Sequence, residues 1–297
     1  MEDLVVMYHY VMEPENWRGS VPISPIEFRK QVEWIREHYE IIKPEDIHRH
    51  TNKPKCILSF DDATKDQYIN AFQILKKMGV PGYFAVMSGP LVERKVPIFH
   101  LVHTLLSHFS DKEIWEEISN QVNIDEIKNN CDIYYSYEMN KYRRLIKYLF
   151  NFYWPEERGR AFLEEKVISI YSSLDVFIDK FYLSEREIIE MDTCGMSIGV
   201  HCENHLPYSG NPQEFYEKEI KVCKRYLEKI LNKEIKLYTP AFGGGEKSIQ
   251  MQIELLPVLQ ENGFTLGFTT EKGLTELKEG FWHKRIDCNQ LIISNVV

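Results

Sequence analysis

Short, largely apolar runs alternate with amphipathic patterns in the first third of the chain. Residues 4–7, 56–60 and 83–87 are runs of strand length, typical of strands buried on both faces of a sheet. A helical pattern lies between the first two runs, where Ser24 and Glu27 have the spacing of a capping box. A second helical pattern lies between the last two. Strand, helix, strand in this order predicts parallel βαβ units.

The same alternation resumes near residue 196 and continues almost to the end. We predict strands at 196–201, 235–239 and 265–269, with helices at about 213–231 and 248–261 between them. The sequence therefore predicts an α/β protein with one barrel-like domain over residues 1–297.

Residues of about 97–191 follow a different pattern, because they contain no strand run and predict amphipathic helices at 99–109, 112–118, 138–152 and 156–174. We interpret them as a helical insertion in the barrel. The insertion carries a cluster of aromatic residues, which at helical spacing favours core packing, with stacking on sugar rings as the alternative. These residues are Tyr134, Tyr135, Tyr137, Tyr142, Tyr148, Phe150, Phe152, Tyr153 and Trp154.

Composition narrows the class of protein. A net charge of -9 without a basic stripe argues against nucleic acid as a partner. We see no secretory leader and no apolar run of the roughly 20 residues that a membrane span needs, so we expect a cytoplasmic protein. The six cysteines show no CxxC pairing, which predicts free thiols.

Polar side chains follow several predicted strands at the point where each strand ends. His9 follows the first, the adjacent acids Asp61 and Asp62 follow the second, and His201 ends a later one, with His205 shortly after it. In parallel α/β proteins functional groups gather at these strand ends. Two neighbouring carboxylates repel each other unless a cation or a shared proton relieves them. The convergence predicts an active site.

The two histidines and one carboxylate form a candidate metal site. Two imidazoles and one carboxylate leave coordination positions open for water and substrate, as in catalytic zinc sites. An HxxxH pair alone is common among surface and core histidines. A metal site is indicated because the HxxxH pair occurs together with the Asp pair at a strand end.

These motifs resemble those of the polysaccharide deacetylases of the NodB-homology type, carbohydrate esterase family four. Residues 59–63, Ser-Phe-Asp-Asp-Ala, resemble the family's Thr-Phe-Asp-Asp-Gly motif, and residues 201–205 resemble its His-Ser/Thr-x-x-His motif. The turn at residues 240–243 and the run at 263–270 lie where the family's barrel strands are expected. The resemblance implies a distorted (β/α) barrel that hydrolyses the N-acetyl group of a sugar.

The resemblance also implies a role for each residue. Asp62, His201 and His205 would hold a divalent metal ion, with Zn²⁺ the expected metal, and Asp61 would be the general base. The division agrees with physical chemistry, because a metal acidifies water and stabilises an oxyanion while a free carboxylate accepts the proton.

The general acid requires a further residue, because the chain ends without the family's Leu-x-His motif. His9 follows an apolar N-terminal strand, which resembles the circularly permuted arrangement of the poly-N-acetylglucosamine deacetylases. We therefore assign the acid to His9, with a buried structural histidine as the alternative reading and His283 as a weaker candidate.

The sequence departs from the family pattern at three points. Ala63 replaces a glycine and would be strained if its φ were positive. Cys202 stands where Ser or Thr is usual, and we favour packing over metal ligation for its sulfur. The family's third-motif arginine is missing near Thr239, and we expect Arg285, placed after a barrel strand, to pair with Asp61 instead. A surface ion pair is the alternative role for Arg285.

The sequence thus predicts a metal-dependent N-deacetylase acting on an N-acetylated sugar, an intermediate in surface polysaccharide or glycoconjugate biosynthesis. The alternatives are a hydrolase of a non-sugar amide and a catalytically silent carbohydrate-binding protein. The glycines at 243–245 lack phosphate-loop spacing and are interpreted as a loop that lines the substrate site. The sequence does not predict an oligomeric state.

Overall fold

Seven parallel strands pair in a ring. The computed structural model describes residues 2–242, 245–278 and 280–291. Strand β1 pairs with both β3 and β8, and the order β1-β8-β7-β6-β5-β4-β3 completes the ring, with β2 added to β3. The strands are β1 (Leu4–Tyr8), β2 (Glu40–Ile41), β3 (Lys55–Phe60), β4 (Tyr83–Met87), β5 (Ser197–Cys202), β6 (Leu237–Tyr238), β7 (Leu266–Lys272) and β8 (Trp282–Asp287). The predicted barrel fold is confirmed.

Strands with two buried faces explain the unbroken apolar runs. In β1, Val5 belongs to one buried cluster together with Tyr83 and Phe268, whereas Leu4 and Val6 belong to another. Successive side chains of a strand point to opposite faces. The first cluster therefore fills the barrel, and the second packs between the strands and the surrounding helices.

Helices connect the strands, and several begin or end as the sequence predicts. Ser24 accepts a hydrogen bond from the Glu27 amide at the start of α1, and Gly79 ends α2 with φ +66°. The helices outside residues 96–178 are α1 (Pro25–His38), α2 (Gln73–Met78), α3 (Gly89–Val92), α10 (Glu185–Thr193), α11 (Pro212–Phe215), α12 (Lys221–Leu231) and α13 (Gly245–Glu261).

The described residues form two compact units. One comprises Met1–Met12, Pro22–Lys95 and Asp179–Val297 and contains the barrel; the other comprises Glu13–Val21 and Val96–Ile178. In the described part of the chain, six helices follow α3 and precede α10 in chain order. They are α4 (Ile98–His108), α5 (Asp111–Ile118), α6 (Ile124–Tyr134), α7 (Lys141–Tyr148), α8 (Glu156–Tyr171) and α9 (Leu174–Phe181). The sequence did not predict α6, α9 or α10. The predicted single domain with an insertion at about 97–191 stays a prediction.

The aromatic cluster of the insertion divides into a buried part and an exposed part. Phe150 and Trp154 are buried, as core packing requires. Tyr134, Tyr137, Phe152 and Tyr153 are 57%, 64%, 54% and 36% exposed, so for these four side chains the core interpretation is wrong.

Two further expectations concern the cysteines and the membrane. All six cysteines are free thiols, as predicted. Within the part of the chain that the structure describes, no helix has both the length and the apolar character for crossing a bilayer.

Candidate metal centre and active site

The inner face of the barrel changes from apolar to polar toward the carboxyl ends of its strands. On β3, Ile57 belongs to the inner apolar cluster, and Ser59 and Asp61 follow at the two-residue spacing of one strand face. On β5, His201 follows Gly199 in the same way. All of these polar side chains are at least 98% buried. Because alternate side chains of a strand face inward, these polar residues form a buried layer at one end of the barrel.

Three predicted metal ligands meet at this end. The Nε2 atoms of His201 and His205 lie 3.2 and 3.7 Å from Oδ1 of Asp62. One ligand atom from each of the three residues lies within 4.8 Å of the other two. The side chains of Asp62 and His201 are 1% exposed, and that of His205 is 9% exposed.

The orientation of His201 tests whether this trio fits a metal ion. Its Nδ1 lies 2.8 Å from the carbonyl oxygen of Thr239. Because a carbonyl can only accept, we assign the proton to Nδ1, and Nε2 then faces the Asp62 carboxylate. A lone pair facing a carboxylate requires a proton or a cation between them, and a backbone carbonyl behind the ring is the usual support of a metal-bound histidine. The donor set therefore fits a divalent cation.

The pKa of His201 also indicates that positive charge is favoured at this position. Burial lowers the pKa of His201, but the Asp62 carboxylate, which would accept a hydrogen bond from a protonated Nε2, and the charge of Asp61 outweigh burial, so the pKa is raised from its ordinary value. The carboxylates thus favour a cation at this position.

The second acid of the pair, Asp61, is held by Arg285. The guanidinium Nη1 donates to Oδ1 of Asp61 at 2.8 Å, and the Arg285 Nε donates to the Thr269 carbonyl at 2.9 Å. Burial raises the pKa of Asp61, but Arg285, His201 and His9 together lower it below the ordinary value. Asp61 is therefore ionised at neutral pH, as a general base must be.

The predicted pairing of Arg285 with Asp61 agrees with this geometry. The expected location of Arg285 after a strand is wrong. Arg285 lies within strand β8 and not after a strand. Its side chain is fully buried, so the alternative of a surface ion pair is also wrong.

His9 approaches the other oxygen of Asp61. Its Nε2 lies 3.9 Å from Oδ2, and its side chain is 39% exposed, so the alternative of a buried structural histidine does not apply. His283, the weaker candidate, is 99% buried and lies 3.3 Å from the Thr275 hydroxyl through its Nδ1. Burial lowers the pKa of His283. Of the two candidates, His9 is the one that lies next to Asp61 and is partly exposed.

The backbone is strained at two of the predicted metal ligands and at Ala63. Asp62, Ala63 and His205 have φ values of +76°, +56° and +59°. The left-handed region costs roughly 1–2 kcal/mol for each such residue. The amide of Leu183 donates to the Ala63 carbonyl at 3.0 Å, and this bond holds the turn. Ala63 is thus strained at the position where the family motif has glycine.

Sequence reasoning missed two buried polar residues behind the site. The Gln67 side-chain amide donates to the carbonyl oxygens of His9 and Asp61 and so joins the ends of β1 and β3. The carboxylate of Glu219 accepts from backbone amides of the loop that carries His205. A signal existed for both, because each occupies a position of an apolar i, i+4 stripe, Gln67-Ala71-Leu75 and Phe215-Glu219-Cys223-Leu227.

Two other sequence interpretations concern residues near the site. Cys202 is 99% buried and lies outside the ligand group, and burial raises its pKa well above the ordinary value, which agrees with a packing role. Gly243 and Gly244, interpreted as part of a substrate loop, lie outside the described residues.

Comparison with known proteins finds one matching family and several solved structures with a similar fold. The model of the family described as polysaccharide deacetylase matches residues 162–266. This range includes His201 and His205 but not the Asp pair. The chain resembles the polysaccharide deacetylases in sequence and in fold. The resemblance predicted from the motifs is confirmed, and the match agrees with the predicted enzyme class, a carbohydrate deacetylase.

The similar solved structures show the fold over nearly the whole chain. The deacetylase PplD of Streptococcus pyogenes is 20% identical with a TM-score of 0.55, and the match covers 97% of this chain and 92% of that one. IcaB from Ammonifex degensii is 16% identical with a TM-score of 0.56, covering 96% and 91%. A de-N-acetylase from Aggregatibacter actinomycetemcomitans is 14% identical with a TM-score of 0.55, covering 96% and 94%. A search of curated proteins finds no significant match.

Proposed function

We propose that this protein is a metal-dependent N-deacetylase that removes the acetyl group from an N-acetylated sugar. The observation that carries the proposal is the arrangement of the two acids. Asp62 faces two imidazoles, whereas Asp61 pairs with Arg285 and faces His9. This difference in partners supports Asp62 as the metal ligand and Asp61 as the base. The similar structures include a deacetylase and a de-N-acetylase, which supports this choice of reaction.

Asp62, His201 and His205 would hold the ion, and their nitrogen and oxygen donors suit Zn²⁺. When bound, a divalent ion supplies Lewis-acid polarisation of the acyl carbonyl and lowers the pKa of the attacking water.

The remaining steps belong to the chain's own residues. Arg285 holds Oδ1 of Asp61 and keeps the carboxylate ionised, so Oδ2 is available to accept the proton of the attacking water. We propose that His9, which is partly exposed and lies next to Oδ2, protonates the leaving amine. Acetate and the free amine are the products.

The substrate that we propose is an intermediate in surface polysaccharide or glycoconjugate biosynthesis. The expected cytoplasmic location stays a prediction, and fractionation of cells that produce the protein would test it.

The test combines metal analysis with an assay of acetate release. We expect the wild-type protein with one equivalent of Zn²⁺ to release acetate from an N-acetylglucosamine oligosaccharide, and Asp62→Ala (D62A) to lose both the metal and the activity. Equal activity of D62A would contradict the proposal. Acetate release from simple amides but not from sugars would favour a non-sugar amide hydrolase, and sugar binding without hydrolysis would favour a silent binding protein.

A further inference from the structure

A buried carboxylate lies behind the loop that carries His205. Glu219 belongs to a π-helical turn, Tyr216–Ile220, between α11 and α12, and is only 1% exposed. Single π-helical turns occur often at functional sites, where they change the direction of a side chain within a helix. Burying a carboxylate without donors is costly, so its partners indicate its role.

Those partners are the backbone amides on either side of His205. One oxygen of Glu219, Oε2, accepts from the Asn204 amide at 3.0 Å and from the Leu206 amide at 3.2 Å. Both donors are backbone amides of the loop, so Glu219 fixes the backbone on either side of His205.

The residue between these two amides has a strained backbone. His205 has φ +59°, which a side chain with a β-carbon rarely adopts. Such conformations persist only where the surroundings determine them. Two amides that converge on one oxygen provide this constraint, because both bonds are retained only while His205 keeps the left-handed turn that aims its ring at Asp62.

We propose that Glu219 is a positioning residue, which holds His205 in its left-handed conformation and thereby sets the affinity of the site for a divalent ion. The inference rests on the proposed function, because it assumes that His205 is a metal ligand. Glu219 itself does not touch the ion or the substrate.

The apolar surroundings of Glu219 make this role specific. Phe215, Cys223 and Leu227, its neighbours on the i, i+4 stripe of the helical segment, are all buried. Leucine would suit the packing of this stripe, so packing alone does not account for a carboxylate. Its acceptor oxygen is the property that the loop uses.

Two substitutions separate the acceptor from the rest of the side chain. Glu219→Leu (E219L) keeps the volume but removes the acceptor, whereas Glu219→Gln (E219Q) retains one carbonyl oxygen that can take both amides. Glu228→Leu (E228L) is the matched control, because Glu228 on α12 accepts from the Ile235 amide at 3.2 Å, away from the loop. Zn²⁺ affinity is measured by competition with a chelator, and the visible spectrum of bound Co²⁺ reports the ligand geometry.

We expect E219L to bind Zn²⁺ about 10–100-fold more weakly than the wild type and to show an altered Co²⁺ spectrum, as loss of a supporting residue behind a ligand typically does. E219Q should stay within about threefold of the wild type, and E228L should match it. Circular dichroism checks folding, and Glu219→Ala replaces E219L if that variant does not fold.

Wild-type affinity in folded E219L would overturn the positioning role while leaving the proposed function intact. A loss in E219Q as large as in E219L would overturn the acceptor argument. Absence of Zn²⁺ and Co²⁺ binding by the wild type would instead contradict the proposed function, and this inference with it.

Discussion

Replacing Arg285 by methionine (R285M) removes the cation that compensates the buried Asp61. The ion pair spans 2.8 Å, and the two side chains are 0% and 2% exposed. Removing one partner of a buried pair costs about 3–5 kcal/mol, because the other charge is left uncompensated. Methionine retains an unbranched apolar chain, so the loss of packing is small. We therefore expect the free energy of unfolding of R285M to fall by about 3–5 kcal/mol at neutral pH.

The stability difference between the wild type and R285M should depend on pH. In the wild type the pKa of Asp61 is lowered from 3.8, so the stability that the pair contributes is present above about pH 4 and is lost as the pH falls through the lowered pKa. Without Arg285, burial is the main influence and raises the pKa of Asp61. Ionisation then destabilises the variant as the pH rises. The difference between wild type and R285M should widen from about pH 4 to pH 7.

The free energy of unfolding is measured by urea titration. The proteins compared are the wild type, R285M, Asp61→Asn (D61N) and the double variant. Since the two residues are in contact, we expect the double variant to lose at least about 1 kcal/mol less than the sum of the single losses. The control is Arg49→Met, because Arg49 pairs with Glu40 on the surface, where the side chains are 50% and 40% exposed, and about 0–1 kcal/mol is expected. A loss below about 1 kcal/mol in R285M, or additive losses, would refute the reasoning.

Three further predictions concern the same site. Ala63→Gly should raise the free energy of unfolding by about 0.5–1 kcal/mol in urea, because glycine relieves the strain at φ +56° but loses more backbone entropy; a decrease would contradict this. Gln67→Leu should lower the free energy of unfolding by about 1–3 kcal/mol and reduce kcat more than it raises KM, since both carbonyls lose their donor; an unchanged kcat would count against it. D61N and His9→Gln should each keep one equivalent of Zn²⁺ and lower kcat by about 10²–10⁴-fold, and loss of the metal would show that the roles are wrongly assigned.

The barrel could be predicted from the sequence because each buried strand appears as a short, continuous apolar run. Runs such as those of β1 and β4 are buried on both faces and stay apolar over their whole length. Strand ends were less predictable: β6 has only two residues, Leu237 and Tyr238, where the sequence predicted five. Helix α6 was missed because only Ile127 and Cys131 of its residues are buried, which leaves a weak apolar stripe.

The candidate site was predictable as a set of residues but not as a geometry. Strand ends and motif spacing identified Asp61, Asp62, His201 and His205. The position of Arg285 inside β8 depends on the closure of the ring between β8 and β1, which is a contact between distant parts of the chain. The positive φ of Ala63 likewise depends on tertiary hydrogen bonds and not on local preference.

The residues that support the site required the structure. Gln67 and Glu219 are polar residues within apolar stripes, and the sequence shows only that each would be buried at a cost. Their partners are backbone groups of His9, Asp61 and the His205 loop, which sequence patterns do not identify.

The most direct test of the central claim is acetate release by metal-free protein to which Zn²⁺ is added back. We expect no acetate from an N-acetylglucosamine oligosaccharide without the ion, release after one equivalent is added to the wild type, and no release by D62A under the same conditions. Acetate release by the metal-free protein, or equal release by D62A, would contradict the account.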